Sequence, residues 1–388
     1  MSIKAYAAAA ALSIASLAAS ATQGVTDKEI VLGVITDLSG PIALYGKEAR
    51  NAFLMKADEI NAKGGINGRK IKLIIEDNAY DPKRALMAAQ KLVVRDQVFA
   101  VLGHLGTATA LAAQPILLEN KVYNFLPQAA SKELYDPPSP YKIGLAPSYH
   151  SMARASLAHL LSKKKYERIG ILYQDDEMGQ DVLRGMEDYL KSINRSLVEK
   201  TSYKRGATDF SSQMAKLRAA NCDLVLLGTT LREAVGAVLE ARKLGFNPEF
   251  LASAASYSNQ VPALGGKAMD GLYAATFTPI PYADDPNPAV RAYYEAYKKR
   301  FNEDPGLYSM YSNYTLDVFA KVAEKVGPNL TTEAFNQALK TVKLQPDELG
   351  NPGFDVSDNH RLAVRKIRLV QIVDGKWRVV SDWLDTKE

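Results

Sequence analysis

Thr107 opens a predicted helix directly after a glycine-bearing turn, Gly103-His104-Leu105-Gly106, and that combination can hold an anion. The first N–H groups of a helix have no partner inside it, and the helix dipole adds partial positive charge there. Two other segments have a related character. Asp37 to Gly46 (DLSGPIALYG) joins glycines and a proline to an aromatic, Tyr45, near its end. Pro127-Gln128-Ala129-Ala130-Ser131 consists largely of small residues that permit close backbone approach, with the Ser131 hydroxyl added. Tyr45, Leu105, Gly106, Thr107, Gln128, Ala129, Ala130 and Ser131 together make a candidate carboxylate cradle. A plainer reading stands beside it: Thr107 as a helix cap and Tyr45 as a packing aromatic.

Comparable loops occur in the second half, at Gln174 to Gly179, Thr229-Thr230-Leu231-Arg232 and Ser253-Ala254-Ala255-Ser256-Tyr257. Asp175-Asp176-Glu177 could be imagined as a metal cluster, but acids at a helix start serve more often as cap and dipole partners. The four histidines (104, 150, 159, 360) lack the spacing of metal ligands on one helix, and one cysteine, Cys222, excludes a thiolate metal site. Cys222 lies in an apolar stretch and reads as a buried, inert thiol. Nucleotide loops, nucleophile elbows and zinc-protease motifs do not occur. The expectation is therefore binding rather than catalysis, with no cofactor and no metal.

The elements that must position these loops alternate regularly. Strands are expected at Glu29–Thr36, Ile71–Glu76, Phe99–Gly103 and Val122–Leu126, with helices at Lys47–Ala62, Asp81–Val94 and Thr107–Glu119 between them. The pattern restarts with a helix at His150–Ser162. Strands follow at Arg168–Tyr173, Leu197–Tyr203, Asp223–Gly228, Glu249–Ala252 and Gly271–Phe277, with helices at Met178–Ser192, Phe210–Ala220 and Arg232–Leu244. Two parallel, doubly wound α/β units emerge, and ligands bind such sheets beyond the carboxyl ends of the strands. The tail is different. Helices at Pro288–Arg300, Tyr308–Val326 and Thr331–Val342, and a hairpin of Lys366–Val373 and Lys376–Trp383 turning at Asp374-Gly375, cannot bury themselves alone. They must pack back on the two units, so that the chain crosses between lobes several times and builds a hinge.

The N-terminus resembles a secretory leader: Lys4 in a short basic region, an apolar run from Ala5 to Leu17, and Ala19-Ser20-Ala21 as a cleavage site. That run is too short to span a bilayer, and export is expected, with the mature chain starting near Thr22. The net charge of +5 is spread along the chain; its longest basic run, Lys163-Lys164-Lys165, has no interleaved aromatics and reads as a solvated helix end rather than a nucleic-acid patch.

Several segments are similar to the leucine/isoleucine/valine-binding proteins of ABC transporters. They are Leu38-Ser39-Gly40-Pro41 with Tyr45-Gly46, Ile60-Asn61-Ala62-Lys63-Gly64-Gly65-Ile66-Asn67-Gly68-Arg69-Lys70, Asp81-Pro82, Gly103-His104-Leu105, Tyr173 to Gly179, and Thr208-Asp209-Phe210-Ser211. The likeness runs in order from about residue 27 to 385. It implies a type I periplasmic binding protein: two Rossmann-like lobes, joined by a three-segment hinge, with ligand in the cleft. Lobe 1 would comprise residues 22–145 and 278–355, and lobe 2 residues 146–277 and 356–388.

The resemblance also implies roles. A hydroxyl at the position of Thr107 would hold the ligand carboxylate, Gln128 to Ser131 would assist, and Tyr45 would line the side-chain pocket. Three departures stand out. The relatives' first-lobe disulfide would join the positions of Tyr80 and Gly106, where both cysteines are missing. Their second-lobe tyrosines fall at Met178 and Thr230. Their acid for the ligand ammonium falls in Ser253-Ala254-Ala255-Ser256, which has none. A buried ammonium without a carboxylate is costly. The expected ligand at Ala254 is thus a small carboxylate, an aromatic or other organic acid, although Asp175 or Asp176 could supply the charge for an amino acid. The expected role is the periplasmic receptor of an importer, monomeric and delivering to a membrane permease. A ligand sensor on the same scaffold and branched-chain amino-acid binding are the alternatives.

Overall fold

The structure, a computed structural model, describes residues 22–387. The leader expected at residues 1–21 lies outside the described residues. β1 (Glu29–Thr36), β2 (Lys70–Asp77), β3 (Ala100–Leu102), β4 (Tyr123–Phe125) and β5 (Lys142–Ile143) form a parallel sheet in the order β2-β1-β3-β4-β5. β3 and β4 are wholly buried, as strands covered by helices on both faces must be. The covering helices include α1 (Ala43–Ala62), α2 (Pro82–Gln90) and α3 (Thr107–Glu119). Asp81 caps α2 through its carboxylate, which accepts from the Arg84 N–H at 2.9 Å, and Pro82 takes the first helical position.

The second sheet repeats this order. β6 (Ile169–Gln174), β7 (Glu199–Tyr203), β8 (Leu224–Gly228), β9 (Glu249–Ala252) and β10 (Tyr273–Thr276) run parallel as β7-β6-β8-β9-β10. α4 (Tyr149–Lys163), α5 (Glu177–Ser192), α6 (Ser211–Ala219), α7 (Leu231–Lys243) and α8 (Gln260–Gly265) accompany it. The strand order reverses direction between β1 and β3 in one sheet and between β6 and β8 in the other. Each reversal opens a crevice at the strands' carboxyl ends.

The tail divides between the lobes. α9 (Pro288–Phe301), α10 (Leu307–Val326) and α11 (Thr332–Thr341) return to the first sheet, with α10 packed along α1 and α11. Phe319 and Phe335 join Phe99, Tyr123 and Phe125 in an aromatic core there. β11 (Lys366–Val373) and β12 (Lys376–Val379) extend the second sheet in antiparallel fashion from β10. The chain therefore passes between the sheets three times, and two of the passages are tied together: the Gly144 N–H donates to Arg361 O at 2.8 Å and the Ala363 N–H to Gly144 O at 2.9 Å.

Three local expectations need correction. α1 begins at Ala43, not Lys47, so Tyr45 and Gly46 are helical rather than loop residues. The buried Asp37 carboxylate accepts from the Ser39, Gly40 and Ile42 N–H groups, which curls the loop tightly and starts the helix early. Gly46 then lies so near Asp37 that a Cβ there would stand 1.7 Å from its carbonyl oxygen. The second hairpin strand stops at Val379 instead of reaching Trp383, and β13 (Leu384–Asp385) pairs with the start of β11. Thr107 does not cap α3: Gly106 holds that position at φ +98°, and Thr107 is the first helical residue.

Candidate functional site

The loops after β1 and β3 face those after β6, β8 and β9 across the gap between the sheets, and the two lobes are closed on each other. The Tyr45 hydroxyl donates to Ala255 O at 2.7 Å. The Gln174 side-chain N–H donates to the Tyr80 hydroxyl at 3.1 Å, and an Arg205 N–H donates to Tyr80 O at 3.2 Å. Between them lies a small cavity of about 20 Å³, room for about one water.

Aromatic rings fill the rest. Tyr45 stacks on Tyr308 with centroids 4.1 Å apart, Tyr308 meets Tyr311 edge-on, and Tyr311 stacks on Phe277 at 5.0 Å. Burial pushes the phenols of Tyr45, Tyr80, Tyr308 and Tyr311 well above their ordinary pKa, so each remains an O–H donor. A cleft of rings and neutral hydroxyls suits an apolar skeleton carrying an acceptor.

Thr107 is buried at the mouth of α3, and its hydroxyl bonds to Tyr149, which opens α4. Gly106 is required beneath it: an added Cβ would meet the Tyr80 ring at 2.7 Å, apart from the positive φ. The two positions implied for the relatives' disulfide are thus in contact here as ring on glycine. Tyr80 also extends to the opposite lobe, where the Arg205 guanidinium stands 5.6 Å from its ring centroid and 3.6 Å from Asp176.

The other expected residues fall into three groups. Gln128, Ala129, Ala130 and Ala254 line the cavity. Gln128 donates to the Ser312 hydroxyl at 2.7 Å, and its side-chain oxygen is buried without a partner among the described residues. Leu105, Met178, Thr230 and Ser131 are buried beside the cleft but do not line the cavity. Ser131 bonds to Glu133 and Thr230 to Glu233. Asp175 is exposed and accepts from Gln180 at 3.4 Å, away from the cavity.

Two acids do stand near the cleft. Asp176 caps α5, accepting from the Met178 and Gly179 N–H groups, and also accepts from Gln174. Glu233, in the first turn of α7, is 2% exposed and holds the Thr230 hydroxyl, with no ion pair among the described residues. Burial raises the pKa of both carboxyls. Sequence reasoning missed Glu233 because it looks like an ordinary first-turn acid of an amphipathic helix. Tyr149, Tyr308 and Tyr311 carried no such signal because they sit in the opening turns of helices, and Phe277 because it closes an expected strand, rather than in loops that follow strands. Aromatics at such junctions are the signal that points to them.

Residues 29–376 match the family described as periplasmic binding protein. The Leu/Ile/Val-binding protein homolog 7 of Brucella suis is 28% identical over 379 residues, 94% of each chain. The Leu/Ile/Val-binding protein of Escherichia coli K12 is 27% identical over 281 residues, covering 72% of this chain and 75% of that one. Among solved structures, the fatty acid ABC transporter substrate-binding protein of Thermomonospora curvata superposes with a TM-score of 0.84 at 26% identity, covering 95% of both chains.

Proposed function

The chain belongs to the periplasmic binding protein family, and from that premise we propose that it is the receptor of an ABC-type importer, binding a small carboxylate without an α-ammonium. The observation that carries the ligand class is the wall at Ser253-Ala254-Ala255-Ser256. Ala254 and Ala255 line the cleft with methyl groups, and Ser253 and Ser256 turn their hydroxyls to Thr229 O at 2.8 Å each. Asp176 is engaged by its helix, Gln174 and Arg205. An ammonium at that wall would be desolvated against methyl groups, a cost of several kcal/mol in effect.

In this reading the carboxylate docks at the N-terminus of α3, where Thr107 offers its hydroxyl and the first turn its free N–H groups. The aromatic rings then enclose an apolar or aromatic body. Lobe closure removes the ligand from water and presents the closed shape to the permease. Export to the periplasm, a monomeric state and a non-enzymatic role belong to the same proposal. Family membership and the leader-like N-terminus support it.

A second reading rests on Glu233. A buried carboxyl next to Thr230, without an ion-pair partner among the described residues, could receive an amino-acid ammonium. The named relatives from Brucella suis and Escherichia coli favour that reading, and the one from Thermomonospora curvata favours the first. Thermal unfolding against organic acids and α-amino acids separates them. A true ligand at about 100 times its Kd adds about 2.7 kcal/mol. Stabilisation by amino acids alone would overturn the proposal.

A further inference from the structure

Behind the cleft lies a larger groove of about 490 Å³. Its walls come from the Phe277–Asp285 crossover, from Pro346 and Gly350 in the other long crossover, and from β11 and β12. Phe277 lines both the groove and the cleft cavity.

The groove combines aromatic faces with cations. Trp377 and Trp383, the only tryptophans of the chain, both line it. Trp377 is held rigidly: its indole N–H donates to Ser258 O at 2.8 Å and its ring meets Tyr257 edge-on. Trp383 is 44% exposed, an unusual position for so large an apolar ring. The Arg368 guanidinium lies 4.2 Å from its centroid, and the Arg368 Nε is buried with no hydrogen-bond partner among the described residues. Among the described residues neither Arg368 nor Arg378, which also lines the groove, forms an ion pair. The one acid in the lining, Asp285, accepts from the Asn287 N–H at 2.8 Å.

We propose that this groove is a second binding site, taking an aromatic carboxylate whose ring lies against Trp383 and whose carboxylate is held by Arg368 and Arg378. A guanidinium with an unmet donor supplies a charge-assisted hydrogen bond, and an indole face supplies stacking. The site does not depend on what the cleft binds.

Because both tryptophans are here and the cleft contains none, fluorine NMR of fluorotryptophan-labelled protein observes the groove directly. Benzoate is titrated, with benzyl alcohol as its uncharged counterpart. The expected result is a saturable displacement of the Trp383 resonance by benzoate. Arg368→Met and Arg378→Met should each weaken it about tenfold or more, with dispersed resonances attesting the fold. Thr107→Val should leave it in place. A silent Trp383 resonance would overturn the site, as would equal displacement by benzyl alcohol or unchanged affinity in both arginine variants. Loss of the displacement in Thr107→Val would also overturn it, since the signal would then report lobe closure from the cleft.

Discussion

The phenol of Tyr45, on the first lobe, donates a 2.7 Å hydrogen bond to the carbonyl of Ala255, on the second. One end of the bond sits on α1 and the other in the turn after β9, so it exists only when the cleft is shut. Tyr45→Phe keeps the stack on Tyr308 and removes this bond. Closure should weaken by about 1 kcal/mol, roughly fivefold in the closed-to-open ratio. Small-angle X-ray scattering should show a larger mean radius in the variant, with its unfolding temperature nearly unchanged.

Tyr80, Arg205 and Asp176 form a second fastening between the lobes. Arg205→Ala removes the bond to Tyr80 O, the ring contact and the partner of Asp176. The expected outcome is a more open protein than Tyr45→Phe gives, because removing one partner of a buried charge leaves the other uncompensated. The same scattering measurement ranks the two variants.

Thr107→Val tests the proposed anion site. The isosteric change leaves the backbone of α3 intact but removes a donor. Ligand affinity should fall by about 1–3 kcal/mol, seen by titration calorimetry, and stability without ligand should fall by about 1 kcal/mol from the lost bond to Tyr149.

Two buried groups set opposing pH slopes. Burial pushes the Glu48 carboxyl from 4.5 up to about 8, so the folded chain holds a proton there that the unfolded chain releases, and stability falls as pH rises between those values. Burial pushes His104 from 6.5 down to about 3, so the unfolded chain takes a proton that the folded one refuses, and stability falls as pH drops through that window. The two slopes oppose each other where the windows overlap, and of the two only Glu48 acts from pH 6.5 to 8. Glu48→Gln should therefore flatten the decline in that range, which otherwise approaches about 1.4 kcal/mol per pH unit. Unfolding followed by circular dichroism at several pH values checks this.

The repeated strand–helix grammar was legible because buried parallel strands read as short apolar runs and Asp81-Pro82 marks a helix start from composition alone. The start of α1 was not, since it depends on a tertiary detail: the Asp37 carboxylate gathering three N–H groups of the next turn. Within the site, the glycine turn before Thr107 stood out for its local chemistry. Tyr308 and Tyr311 did not, because they approach the cleft from a tail helix more than 190 residues further along the chain. Glu233 was invisible for another reason: only the tertiary fold, which buries it and brings Tyr45 of the other lobe near it, sets it apart from an ordinary first-turn acid.

The central claim is that the cleft takes a carboxylate and rejects the ammonium. Titration calorimetry with matched pairs addresses it most directly: isocaproate against leucine, and hydrocinnamate against phenylalanine, each pair differing only by the amino group. The account predicts saturable heat from at least one of the deaminated acids and at least about tenfold weaker binding of its amino-acid counterpart, a difference of about 1.4 kcal/mol or more. Tighter binding of leucine or phenylalanine, abolished by Glu233→Gln, would contradict it and make Glu233 the ammonium partner.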